Sequence, residues 1–204
     1  MMIWNLFRTL TPQKLTLPLI ENLSLQSNLS PSEIERWYQQ FIYCYTYGYV
    51  SFNEFVVHIK QLCIYHGNRR SQLSKKCIWQ LFSRLDIDRD QKLNFEEFFR
   101  FNILINQGNR NEKLIFILTF FKHDENIYFT QEKLIEFFIN IFYLLNLSKF
   151  VEYLPEKIQK ILSSINIDVE QKQISWNEFT LCILNHSNLF ESLITIKSKE
   201  NHIL

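Results

Sequence analysis

Apolar residues recur at helical spacing on both sides of one short polar interval. Before it runs Cys77-Ile78-Trp79-Gln80-Leu81-Phe82-Ser83-Arg84-Leu85. After it come Phe98, Phe99, Phe101, Ile103, Leu104 and Ile105. A period near 3.6 residues on each flank predicts two helices joined by a polar loop. The stretch 188–196 is also apolar at helical spacing and predicts a helix near the C-terminus. With 3 Gly and 4 Pro in 204 residues, the chain has too few breakers for a turn-rich β fold. The expected class is therefore all-α.

The polar interval is Asp86-Ile87-Asp88-Arg89-Asp90-Gln91-Lys92-Leu93-Asn94-Phe95-Glu96-Glu97. Its oxygens fall where a calcium-binding EF-hand loop needs them. Positions 1, 3 and 5 give side-chain oxygens, position 7 a backbone carbonyl, position 9 a contact often made through water, and position 12 a bidentate Glu. Those positions are Asp86, Asp88, Asp90, Lys92, Asn94 and Glu97. Calcium is a hard cation, so a cage of carboxylates and carbonyls suits it. Position 6, ordinarily Gly because the backbone turns sharply there, is Gln91. A non-Gly residue held at positive φ costs on the order of 1 kcal/mol. Binding is therefore expected at the weak end of the sensor range, around 10⁻⁵ M or somewhat weaker.

The pattern repeats. Phe52-Asn53-Glu54-Phe55, Phe95-Glu96-Glu97-Phe98 and Trp176-Asn177-Glu178-Phe179 share one form, and Thr130-Gln131-Glu132-Lys133-Leu134 stands between the last two. Glu54, Glu97, Lys133 and Glu178 recur at intervals of roughly 40 residues, as in a repeat array. Four hands in two pairs, hence two lobes, are expected, with short β bridges between paired loops. The eighth loop positions, Val50, Leu93, Phe129 and Ile174, are all apolar. The expected segments are an N-terminal segment 1–24, a first pair 25–106, a second pair 107–187 and a C-terminal helix or tail 188–204.

Three loops are altered. The first puts Tyr43, Tyr45, Tyr47 and Ser51 at ligand positions, keeping Gly48 and Glu54, and reads as structural because neutral Tyr is a poor calcium ligand. The third keeps Asp124 and Asn126 but has Lys122 and Lys133 at its two ends, which oppose a cation. Two readings apply to these lysines: solvated side chains, or an ammonium paired with Asp124 in place of the ion. The fourth carries Asn166, Asp168 and Glu170, but Glu178 falls one place late and Gln171 stands where Gly is expected. One Ca2+ site is expected, in the second loop, and the inserted residue argues against a second in the fourth.

The net charge is +1, from 22 basic and 21 acidic residues. Working calcium sensors tend to be acidic, so the balance fits a loss of ligand carboxylates. Nothing in it makes a case for nucleic acid. Cys44, Cys63, Cys77 and Cys182 form no C-x-x-C pair and no zinc spacing with His, and read as reduced core thiols of a cytoplasmic protein. No run of about 18 apolar residues predicts a transmembrane segment. The opening Met1-Met2-Ile3-Trp4-Asn5-Leu6-Phe7-Arg8 is too short and too soon charged for a secretory signal. No acid precedes Glu21, a pattern compatible with a transit peptide. Met2 in place of Gly excludes N-myristoylation at this start.

Three stretches resemble the recoverin-like neuronal calcium sensors. Leu29-Ser30-Pro31-Ser32-Glu33-Ile34-Glu35-Arg36-Trp37-Tyr38-Gln39-Gln40-Phe41 is similar to that family's first helix, with its Trp-Tyr pair. Gln107-Gly108-Asn109-Arg110-Asn111-Glu112-Lys113-Leu114 is similar to its central linker, and Leu154-Pro155-Glu156-Lys157-Ile158 to the entry of its fourth hand. The likeness spans roughly residues 25–196. Parts of it are shared with calcineurin B-type subunits and calaxin-like ciliary sensors. Cys44-Tyr45-Thr46 departs from the family's Cys-Pro, and the third loop, which binds calcium in most members, is not expected to here.

The resemblance implies lobes that grip an amphipathic helix of a protein target. Phe98, Phe99, Phe137, Phe138, Phe142 and Phe179 are candidates for core or for groove lining. Two functions follow. One is a calcium-binding regulatory protein running on the second hand. The other is a calcium-independent structural subunit of a larger assembly, such as a ciliary axoneme or a dynein-associated complex. No enzyme is expected: His58, His66, His123, His186 and His202 form no H-E-x-x-H, and neither a P-loop nor a G-x-S-x-G is present.

Overall fold

The computed structural model describes residues 14–68, 73–119, 127–164 and 173–195. Lys122, His123, Asp124, Asn126, Asn166, Asp168, Glu170, Gln171, His202 and the first 13 residues lie outside them. The described residues are predominantly helical, as an all-α class requires. They form α1 Leu17–Ser27, α2 Pro31–Cys44, α3 Phe52–Tyr65, α4 Lys75–Leu85, α5 Phe95–Gln107, α6 Arg110–Leu118, α7 Gln131–Leu144, α8 Leu154–Ser164, α9 Trp176–Asn185 and α10 Ser187–Ile194. A 3-10 turn, Ser148–Tyr153, leads into α8. Strands β1 Tyr128–Phe129 and β2 Ile174–Ser175 make a small antiparallel sheet.

Two compact units share these elements. Residues 1–55 with 82–103 make the first, and 56–81 with 104–204 the second.

In the first unit, α2 starts on a capping box. Ser30 accepts from the Glu33 N–H, Glu33 accepts from the Ser30 N–H at 2.8 Å, and Pro31 occupies the first turn. Such a cap stabilises a helix by about 1 kcal/mol. The Trp37–Tyr38 pair then turns onto the start of α5, with Trp37 edge-on to Phe99 at 5.7 Å and Tyr38 edge-on to Phe95 at 5.1 Å. Phe41 touches Phe95 and Phe98, and Phe55 touches Phe82 and Phe101. Each fully buried ring contributes roughly 1.5–3 kcal/mol of transfer free energy. Val50 and Leu93 join the two loops of this unit by an isolated antiparallel bridge.

In the second unit, β1 pairs with β2 in the register Phe129 with Ile174 and Tyr128 with Ser175. The four apolar residues expected at mid-loop are thus the ones that bridge. Trp176, Phe138 and Phe179 pack together behind the sheet. Helix α6 begins on a second capping box, Asn109 with Glu112. The side chain of Lys113 is buried and donates to the Ile105 carbonyl at 2.7 Å, near the end of α5. Burial lowers the Lys113 ammonium below its ordinary value. Helix α10 lies against α6, α8 and α9, burying Leu193 and Ile194. All six phenylalanines weighed between core and groove are buried.

Candidate metal centre

The loop 86–97 leaves the end of α4 and feeds the start of α5. Its backbone curls around its own carboxylates. The Asp90 N–H donates to Asp86 Oδ1 at 3.1 Å and to Asp88 Oδ1 at 3.2 Å. The Gln91 N–H donates to Asp86 Oδ2 at 2.9 Å, and the Lys92 N–H to Asp90 Oδ1 at 2.8 Å. The two turns this demands place Arg89 at φ 61° and Gln91 at φ 64°. Both are left-handed and carry a Cβ, so each costs on the order of 1 kcal/mol.

Asp86, Asp88 and Glu97 converge, with a carboxylate oxygen from each within 4.8 Å of the others. Asp86 is 7% exposed and Glu97 4%. Acids this buried are rare without a partner. Glu97 accepts from the Ile87 N–H at 2.6 Å through Oε1, and from the Asn94 N–H at 3.0 Å through Oε2. Burial pushes its carboxyl above the usual range; those N–H groups pull it down, and the Asp88 charge raises it further. Three carboxylates gathered so closely repel one another, and a divalent cation relieves that repulsion. The donor set, all oxygen, fits calcium or magnesium chemistry and no soft metal.

The other three predicted ligands lie around this trio. Asp90 is exposed and holds the Lys92 N–H. Asn94 caps α5, its Oδ1 accepting from the Glu97 N–H at 3.1 Å. Lys92 was expected to offer only its carbonyl, and its ammonium stands 4.4 Å from the centre of the Tyr49 ring.

The three altered loops each use the position matching Glu97 differently. Glu54 is taken up in capping α3, accepting at Oε2 from the Ser51 N–H at 2.8 Å and from the Ser51 hydroxyl at 2.6 Å. In the same loop Tyr43 and Tyr47 are exposed, while Tyr45 turns inward against Phe41 and Phe98. Burial pushes the Tyr45 phenol up to about 12. Lys133 pairs with Glu136 at 3.1 Å on α7, while its reading as a partner of Asp124 falls outside the described residues. The Glu178 N–H donates to the Ser175 hydroxyl at 3.5 Å. Every exiting helix thus has a Ser, Asn or Thr three residues before this position. That short polar residue is visible in the sequence as Ser51, Asn94, Thr130 and Ser175, and its signal is that of a helix N-cap.

The second unit holds an open groove of about 410 Å³. One wall is a face of α4 with Lys76, Cys77 and Gln80; the other is a face of α7 with Lys133, Phe137 and Asn140. Burial raises the Cys77 thiol to about 12. Among the described residues, no helix is long and apolar enough to cross a membrane. No protein-family model matches the chain, and no curated protein matches it.

Proposed function

We propose that the chain is a divergent EF-hand protein of the recoverin-like kind. It binds calcium through its second hand and acts by holding an amphipathic helix of a protein target. The observation that carries this reading is the convergence of Asp86, Asp88 and Glu97 inside a loop whose own N–H groups fix the carboxylates. The bridges Val50–Leu93 and Phe129–Ile174 support four hands in two pairs, because each joins the eighth positions of two loops. The groove between α4 and α7 offers a place for apolar side chains of a target. The role is binding and not catalysis. The cytoplasm, or a ciliary assembly within it, is the setting that the thiols and the family resemblance support.

A second reading keeps the fold and drops the dependence on calcium. Here the chain is a structural subunit of a larger assembly. Two observations favour it. Glu54 caps its own helix through Ser51, and Lys133 pairs with Glu136 one turn on, so in these two hands the residue at the last loop position is engaged by a neighbouring protein group.

Calorimetric titration with calcium tests the first reading: one site per chain is expected, near 10⁻⁵ M. Two or more tight sites would overturn the loop assignment. Affinity capture from cell extract, in calcium and in chelator, separates the two readings. A partner lost in chelator supports regulation, and one retained equally supports the structural role.

A further inference from the structure

We propose that Tyr49 is a positioning residue for the second-loop metal site, holding the Lys92 ammonium away from the carboxylate cage. The proposal rests on the calcium reading above and adds to it how loop one controls loop two.

A lysine at the seventh loop position is an internal rival to the metal. Its backbone sits beside the cage, because the Lys92 N–H donates to Asp90 Oδ1 at 2.8 Å. Its ammonium is a compact charge on a flexible four-carbon stem. Swung inward, it would compete with a cation for the clustered carboxylates of Asp86, Asp88 and Glu97. Lys92 instead lies over the Tyr49 ring, 4.4 Å from its centre. Tyr49 is itself stacked on Tyr47 at 6.1 Å. Val50, the next residue, exchanges backbone hydrogen bonds with Leu93, at 2.8 Å from its N–H and 3.0 Å to its carbonyl. The bridge and the ring therefore grip consecutive residues of the second loop. One sets the backbone at Leu93; the other draws off the charge at Lys92. A loop with no calcium ligands of its own then raises the affinity of its partner loop.

The experiment measures calcium affinity for the wild type, Tyr49→Phe, Tyr49→Leu, Lys92→Met and Tyr49→Leu/Lys92→Met. Circular dichroism confirms the fold of each. Tyr49→Phe keeps an aromatic face and should bind as the wild type does. Tyr49→Leu should weaken binding about two- to fivefold, the range open to an exposed cation–π contact. The double variant should recover that loss, because no ammonium remains to compete. Unchanged affinity in Tyr49→Leu would overturn the inference and leave the calcium site standing. So would a loss that Lys92→Met fails to rescue, since Tyr49 would then serve only the backbone bridge. A wild type that binds no calcium would overturn the metal reading, and this inference with it.

Discussion

Asn94 and Glu97 cap each other. The Glu97 N–H donates to Asn94 Oδ1 at 3.1 Å, and the Asn94 N–H donates to Glu97 Oε2 at 3.0 Å. One carboxylate therefore caps helix α5 and, in the calcium site proposed above, would also be the bidentate ligand.

The two roles separate by substitution. Glu97→Gln keeps an oxygen for capping and removes the charge. It should abolish calcium binding while changing stability by less than about 1 kcal/mol. Glu97→Ala should lose both the metal and the cap, at about 1 kcal/mol or more of stability. Calorimetry and thermal melts in chelator read the two effects. Calcium binding retained by Glu97→Gln would contradict the ligand role.

Gln91 stands at φ 64°. Gln91→Gly relieves a strain of about 1 kcal/mol in the folded loop. If the loop must hold that φ more tightly around the ion, affinity should rise, by up to about fivefold on the same energy scale. An unchanged affinity would mean that the loop holds this φ equally well with and without the ion, and a weaker one that glycine's added freedom in the ion-free loop outweighs the relief of strain.

Tyr45 ties stability to alkaline pH. Burial raises its phenol from 10.0 to about 12 in the folded chain. A folded value above the unfolded one favours the folded state while the group is protonated. That contribution is complete below pH 10 and is lost as pH rises toward 12. Because the ring is partly exposed, its worth is on the order of 1 kcal/mol. Tyr45→Phe should therefore flatten part of the decline in melting temperature above pH 10. Parallel declines in the two proteins would remove Tyr45 as the cause.

Much of this architecture is legible in the sequence, for a physical reason. Val50, Leu93, Phe129 and Ile174 are apolar at one loop position, and backbone pairing needs that position inward. The Trp37–Tyr38 pair and the acids of 86–97 are equally local signals. The Lys92–Tyr49 contact is not local. It links residues far apart in sequence, whose neighbours Val50 and Leu93 are joined by the bridge. Lys113 reads in the sequence as one more residue of the polar central linker, yet its ammonium reaches the end of the preceding helix. The fate of Glu54 depended on geometry too: the sequence retains the acid, and the fold spends it on Ser51.

Lys133 gives the sharpest test of the third loop. It occupies the position that Glu97 holds in the second, and it pairs with Glu136 across one turn of α7. Its side chain is 70% exposed, so the pair is worth less than about 1 kcal/mol. Lys133→Glu removes the pair and places two acids at i and i+3, a change of a few tenths of a kcal/mol. The helix should survive it, because Thr130 still caps α7 through the Lys133 N–H, a backbone group any residue here supplies. Calcium binding should not appear. In the proposed register Lys122 falls at the first ligand position, and Ile127 falls where an EF-hand turn ordinarily has Gly. Adding Lys122→Asp supplies the missing carboxylate and should give at most a poor site, because the Ile127 Cβ opposes the sharp turn. Calorimetric stoichiometry checks both variants against the wild type. A tight new site in Lys133→Glu alone would show that the register between Phe121 and Leu134 is wrong, and the alignment of all four loops would have to be redrawn.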